Sequence, residues 1–322
     1  MTRITTARFA RFAPALLLLT AAAPPAPAPP ALAPSEIVAA APAGDWVTIA
    51  PIDLLVMDLS PDGAGNARRV VIQLISPFSD KWVGNVRKLA AAHWWDGTSI
   101  NRVQDNYVVQ WGDANAEDKA KARRLPTGLA TVAQSEYTTA RPQIAQTKKF
   151  ARSVQKTVDS YASETGFIAG WPYASDGHAA WPIHCYGMVG VGRDMPPDTG
   201  SGAELYAVIG QAPRHLDRNI ALVGRVVSGI EIMSSLPRGT GPLGFYEQPG
   251  QRVTITAIRL ASELPEADRP HFQYLSTDAP SFQKYADARA NRRDAFFIRA
   301  VGGADICNVP VPVRSIPIRK TP

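Results

Sequence analysis

Cysteine is almost missing: Cys185 and Cys307 are the only two in 322 residues. There is no CxxC pair and no spaced Cys/His set, which excludes an ordinary structural zinc site. Two thiols leave two alternatives. They form one disulfide, tying the C-terminal tail to the main domain, or they stay separate and buried. Histidine is scarce as well, at five. His178 and His184 are too few for a metal site and read as structural residues. His184 adjoins Cys185, but neighbours in a strand face opposite ways, so the pair does not suit a Cys/His nucleophile. Long apolar runs are absent too. "APALLLLTAAA", near the N-terminus, is far short of the ~20 residues that span a bilayer. No acidic residue precedes Glu36, and no cysteine stands near that apolar run, which excludes a lipid-modified cysteine.

What is present at the start is a basic stretch, "MTRITTARFARF", leading into that short apolar core and then into small residues. This is the layout of a secretory signal peptide, over residues 1–23, so the mature chain is expected to be periplasmic or secreted, with no transmembrane span; an uncleaved anchor is the rival reading. Residues 24–45 alternate Pro and Ala and read as an extended linker, with folded sequence from Trp46. The formal charge is +6, of which Arg3, Arg8 and Arg11 supply three, leaving +3 once they are removed. That is weak ground for a nucleic-acid partner, and none is expected. The chain is 45% hydrophobic, enough to build a sizeable core.

Arg68–Ile75 is β-branched and partly alternating, hence a strand. Ser76 suits an N-cap and Pro77 a first helical position. Trp82, Val86, Leu89 and His93 then fall at helical spacing, up to Gly97. "INRVQDNYVVQWGD" (Ile100–Asp113) carries Arg102 and Gln110 eight residues apart. In one unbroken strand that even spacing turns both to one face, although Asp105–Asn106 can be a turn. Residues 114–183 form a long insertion. Between Glu117 and Asp159, nine Lys/Arg stand against four Asp/Glu. Such a run is usually a solvated face; contact with an acidic surface or lipid head groups is the functional alternative. Phe150, Val154 and Val158 mark a helix within it.

Further strands follow at Ala203–Ile209 and Ala221–Val227, a short helix starts at Gly229, and "QRVTITAIRL" is a last alternating strand. Many short strands with few helices indicate a mainly β chain, a closed or nearly closed antiparallel barrel. Residues 263–322 form an extension: a helix within "TDAPSFQKYADARANRRDAFF", then an extended tail. "GTGPLG" matches GxGxxG, but Pro242 within it and "FYEQPG" after it lack the strand-to-helix context of a dinucleotide site.

Taken in order, "VVIQL", a helix holding "NVRKL", "WDGTSINRV…YVVQWGD", "GMVGVG…GSGAELYAVIG" and "HLDRNIALVGRVVSGIEIM" resemble the cyclophilins, which are peptidyl-prolyl cis–trans isomerases. The usual family text is close to "YDGTxFHRVIxGFMIQGGD", "GSQFFI" and "LDGxxxVFGRVxxGMDVV". The likeness covers about Val70–Leu260, interrupted by the insertion, within a domain at 46–262. It implies an eight-stranded antiparallel barrel closed by two helices, with a substrate groove on one outer face. By motif position Arg102 matches the catalytic arginine and Gln110 the groove glutamine. Val108, Tyr206 and Leu216 match the proline pocket, and Gly192 and Arg193 fall where the peptide backbone binds. The sequence departs from the pattern at Asn101 (usually His), Trp111 (Gly), Glu204 (Gln), Tyr206 (Phe) and His215 (Trp or Phe), which brings Glu204 and His215 into the substrate-binding set.

The resemblance implies chemistry without metal, nucleotide, cofactor or covalent intermediate: Arg-assisted rotation of X–Pro bonds, serving the folding of exported proteins with proline-containing clients. The alternative is a catalytically weak cyclophilin-like module that binds proline-containing segments or a protein partner.

Overall fold

The computed structural model describes residues 31–75, 77–140 and 159–317. In chain order its strands begin with β1 (Trp46–Thr48), β2 (Leu54–Leu59), β3 (Arg68–Leu74), β4 (Ser99–Val103) and β5 (Val108–Gly112). Next come β6 (Thr139–Ala140), β7 (Glu164–Ile168), β8 (Trp171–Ser175), β9 (Ala179–Pro182) and β10 (Met188–Val191). The last are β11 (Leu205–Val208), β12 (Leu222–Ser228), β13 (Val253–Leu260), β14 (Phe272–Leu275) and β15 (Val313–Ser315). The helices are α1 (Pro34–Ala39), α2 (Asp80–Ala91), α3 (Ile230–Ser234) and α4 (Pro280–Ala290).

Eight antiparallel strands close into a barrel in the order β10-β11-β5-β4-β13-β2-β3-β12, as the resemblance implied. Closure leaves no free sheet edge. Alternate residues point inward, so Leu55, Met57 and Leu59 of β2 meet Val70, Ile72 and Leu74 of β3 in one core with Val109 and Trp111 of β5. Helix α2 presents Trp82, Val86 and Leu89, four and three apart, to that core. It starts at Asp80, later than Pro77, after a left-handed turn at Ser79 (φ 59°); Ser76 lies outside the described residues. Phe78 is buried in the core, which takes the preceding chain off the helix axis. His93 does not continue the helical face. The helix ends at Ala91, and His93 (φ 51°) is exposed in the turn that seats Trp94 and Trp95 inside.

The insertion carries a four-stranded sheet, β6-β9-β8-β7, whose Phe167, Trp171 and Trp181 belong to the same apolar cluster as the barrel interior. Arg225 of β12 is buried against it. Its guanidinium donates to the Gly170 carbonyl at 2.8 Å and to Gln73 Oε1 at 2.9 Å, and lies 4.6 Å from the Trp171 ring. Burial pulls its pKa down to about 10. The helix expected around Phe150–Val158 lies outside the described residues, as do five of the nine basic residues. Of the remaining four, Lys121 pairs with Asp118 at 2.9 Å, and Arg123 donates to the carbonyls of Trp94 and Asp96.

Over its described residues, 31–45, the Pro/Ala-rich stretch before Trp46 is less extended than its composition indicates. Helix α1 packs on α4, and Ile37 and Val38 join the core, because Pro34 takes an early helical position and Glu36 accepts the Ala33 N–H at 2.7 Å. The C-terminal extension folds back on the same body. β14 pairs with both β1 and β15, and Phe282 of α4 meets Phe167 with ring centroids 4.9 Å apart. Cys185 and Cys307 form a disulfide, with Cα atoms 5.2 Å apart.

Candidate active site

Arg102 and Gln110 share a face as partners across a hairpin, not along one strand. The chain turns at Gln104–Tyr107, with Asn106 left-handed (φ 49°), so β4 and β5 run antiparallel and Arg102 lies opposite Gln110. Tyr206 of β11 lies opposite Gln110 on its other side, which lines up three side chains across three strands. The register shifts between Ile100 and Arg102, a β-bulge at Asn101. In a regular strand Ile100 and Arg102 would face the same side. The extra residue lets Ile100 stay fully buried while Arg102 turns out to the groove. Asn101 is held by the bulge: its Oδ1 accepts from Ser99 Oγ at 2.6 Å and its Nδ2 donates to the Gly112 carbonyl at 3.2 Å.

Arg102 is half-buried and fixed by three acceptors. Nε donates to the Leu243 carbonyl at 2.7 Å, one terminal nitrogen to Gln110 Oε1 at 3.0 Å, and the other to Gln104 Oε1. Its guanidinium carbon lies 5.6 Å from the Tyr107 ring and 5.5 Å from the Phe245 ring. A guanidinium has five N–H groups, so one on each terminal nitrogen stays available to a ligand. Burial lowers the Arg102 pKa from the usual arginine value, with Tyr107 and Glu204 opposing that shift, and the group stays charged at neutral pH.

Gln110 completes the chain by donating from Nε2 to Glu204 Oε2 at 2.6 Å. Burial, above all, lifts the Glu204 carboxyl above the ordinary glutamate value; the Gln110 amide opposes this, and Asp113 and Glu117 add to it. An ionised Glu204 only accepts, which fixes the Gln110 amide with its oxygen toward Arg102. A protonated Glu204 can donate and so permits the reversed amide. Arg102-dependent activity is therefore expected to fall as pH drops through a pKa above that of ordinary glutamate. Glu204→Gln should remove that inflection from the pH profile. An identical acid limb in the variant would show that Glu204 does not set it.

Beside this polar chain sits a small apolar cluster separate from the barrel core. Val108, Tyr206 and Val208 are buried, with Tyr107, Leu216 and Ile220 packed against them. Gly190 makes room for the Tyr206 ring, because a Cβ there would come within 2.3 Å of Tyr206 Cζ and the hydroxyl. The Tyr206 hydroxyl meets His184 Nε2 at 2.9 Å, and His184 Nδ1 meets Asp217 Oδ1 at 2.9 Å. Burial lowers the His184 pKa below the ordinary histidine value against the opposing Asp217, which favours the neutral ring at neutral pH. The Asp217 carboxylate can only accept, which assigns the His184 proton to Nδ1 and makes Tyr206 the donor to Nε2. Asp217 Oδ2 accepts from Arg214 Nε at 2.6 Å, and Arg214 reaches Asp159 at 2.7 Å. Tyr206→Phe would keep the ring but leave the His184 Nε2 buried without a donor, at a cost of about 1–3 kcal/mol. Denaturant unfolding should show that loss while turnover changes little; equal stability would mean that the hydroxyl contributes nothing.

A cavity of about 710 Å³ joins these parts: Arg102, Val108, Gln110, Gly192, Arg193, Glu204, Tyr206 and Leu216 all line it. Arg193 is tied back, donating to the Asn219 carbonyl at 3.0 Å and the Asp194 carbonyl at 2.7 Å. His215 departs from its expected place in the binding set. It is exposed outside the lining and stacks on Tyr107, with ring centroids 6.3 Å apart. Its short 3-10 turn, Arg214–Leu216, directs Leu216 to the pocket and Arg214 inward. Trp111 points into the barrel core and takes no part. Sequence reading missed Val208, Ile220, Leu243 and Phe245. Val208 was within reach, two residues from Tyr206 on the same strand face. Leu243 and Phe245 lie in a loop with no periodic signal. Among the described residues no group of three His, Cys, Asp or Glu could hold a metal ion, and no helix is long and apolar enough to cross a membrane.

The family model for cyclophilin type peptidyl-prolyl cis-trans isomerases matches residues 57–260. Among solved structures, the cyclophilin AquaCyp293 from Hirschia baltica is similar with a TM-score of 0.63 at 22% identity, covering 84% of this chain and 93% of that one. A cyclophilin type isomerase from Cryptosporidium parvum aligns with a TM-score of 0.38 at 11% identity, covering 65% of this chain and 96% of that one. A search among curated proteins finds no match. With the closed barrel in hand and more than half of its length matched by the family model, the chain belongs to the cyclophilin-type peptidyl-prolyl cis–trans isomerase family.

Proposed function

We propose that this chain catalyses rotation about X–Pro bonds in exported polypeptides, with Arg102 as its catalytic residue. The barrier, ~18–20 kcal/mol, comes from conjugation of the nitrogen lone pair with the carbonyl. At the twisted transition state the prolyl nitrogen becomes pyramidal and its lone pair is free to accept. A guanidinium N–H aimed at that nitrogen then gains a hydrogen bond that the planar ground state cannot offer. Val108, Tyr206 and Leu216 hold the proline ring and exclude water, which strengthens that bond.

The observation that carries this reading is the fixed Arg102: three N–H groups engaged, others free, beside an apolar cluster of Val108, Tyr206 and Val208 with Leu216 packed against it. Export is supported by the basic and apolar N-terminal run and by a disulfide, which suits an oxidising compartment. A mature product beginning after about residue 20 in the envelope fraction is its signature; a full-length cytoplasmic product would refute it. The departures at Asn101, Glu204 and His215 favour the second reading, a binding module with weak catalysis. A protease-coupled or NMR-exchange assay on the mature chain decides between them, since a pure binding module leaves X–Pro exchange at its spontaneous tens to hundreds of seconds.

A further inference from the structure

The loop between α3 and β13 is stitched to β4 at Asn101–Val103, beyond the residues of β4 that pair with β13. The Gly239 N–H donates to the Val103 carbonyl at 3.0 Å, and the Tyr246 N–H to the Asn101 carbonyl at 2.9 Å. Phe245 forms an antiparallel bridge with Arg102. Inside the loop the Gly241 N–H donates to the Phe245 carbonyl at 3.0 Å, and the Tyr246 hydroxyl donates to the Pro237 carbonyl at 2.6 Å. Gly244 (φ +81°) passes so close to β4 that a Cβ there would lie 2.7 Å from Gln104 Cα. The loop is thus a built lip on the groove, with both ends fixed to the strand that carries Arg102.

Two large apolar side chains on this lip stay uncovered: Leu243 is 66% exposed and Phe245 40%. Both line the cavity that holds Arg102 and the apolar cluster. Leu243 has φ 57° and ψ 16°, a left-handed state that leucine rarely adopts and that glycine takes freely. Glycine would serve the turn with less strain, so the leucine adds something other than turn geometry. Its carbonyl holds Arg102 Nε, and its side chain gives the groove an apolar rim. Backbone strain of this kind concentrates where ligands are clamped.

We infer that Leu243 and Phe245 form a second subsite of the groove, taking an apolar or aromatic client side chain that flanks the proline on the side away from Gly192 and Arg193. The inference rests on the isomerase reading for where the proline sits. A prolyl nitrogen facing Arg102 puts the next client residue only 3.8 Å further along the chain, and the Phe245 ring lies 5.5 Å from the Arg102 guanidinium carbon. The occupant is therefore the client peptide itself, continued past the proline pocket along the same cavity.

The test uses short peptides with Leu, Phe or Gly at each flank of one proline, measured for isomerisation and for binding to the full mature chain. Wild type should prefer Leu and Phe over Gly by about tenfold, at one flank only, the scale of an apolar side chain entering a partly open pocket. Leu243→Gly suits the left-handed backbone, so its fold should persist, with thermal unfolding as the check. In Leu243→Gly and in Phe245→Ala the preference should shrink toward one. The subsite is overturned if wild type shows no preference at either flank, or if both variants keep it. Should no peptide be isomerised, the isomerase reading fails by itself. The binding series then decides: preference in affinity that both variants lose supports the subsite, and uniform or absent binding removes it.

Discussion

Arg102→Ala is expected to lower kcat/KM by 10²–10³-fold, the usual effect of removing one well-placed electrostatic donor, with far less change in peptide affinity. The split follows from the geometry. The apolar cluster of Val108, Tyr206 and Leu216 is built from β5, β11 and the turn after it, and needs nothing from the guanidinium. The ground state therefore loses little, and the transition state loses its hydrogen bond to nitrogen. Arg102→Lys should recover little. Lysine has no planar fork to satisfy Leu243, Gln110 and Gln104 together while leaving further donors free. Tyr206→Ala removes pocket wall and should weaken binding and turnover together. Full activity in Arg102→Ala, or wild type no faster than the spontaneous rate, would leave the binding-module reading in its place.

Removal of the Cys185–Cys307 bridge is expected to lower stability by about 2–5 kcal/mol. The two residues are 122 apart in sequence, so the bridge closes a long loop and restricts the unfolded chain strongly. Against a typical total of about 5–15 kcal/mol that is a large share. Denaturant unfolding of Cys307→Ala, and of wild type with and without reductant, should show it. Cys185 also adjoins His184, whose ring holds the Tyr206 hydroxyl, so loosening at the bridge reaches the pocket through one residue. An unchanged unfolding midpoint would mean that the pairing of β15 with β14 and the packing of α4 suffice to hold the extension.

Much of the barrel is legible along the chain because a strand's periodicity is set by backbone geometry within a few residues. The β-branched, partly alternating run in Arg68–Leu74, the alternation in Val253–Leu260 and the apolar run at Val108 mark strands before any pairing is known. The order of motifs identifies the family, and motif position points to Arg102, Gln110 and Tyr206 as candidates. The pairing was not legible. Even spacing places Arg102 and Gln110 on one face of a single strand, whereas the fold makes them opposite partners across a turn, with a bulge at Asn101 that no propensity marks. Contacts between distant residues were equally hidden, Arg102 with Leu243 across 141 positions and Arg214 with Asp159 across 55, while Cys185 with Cys307 across 122 was legible only as one of two alternatives. The helix at Pro34–Ala39 was masked by its Pro/Ala composition and exists because α4 and the core cover one side of it. The sequence by itself determined the family and the barrel strands that carry the candidate residues Arg102, Gln110 and Tyr206. Only the tertiary structure decided what surrounds Arg102, because its partners lie on segments that barrel closure alone brings together.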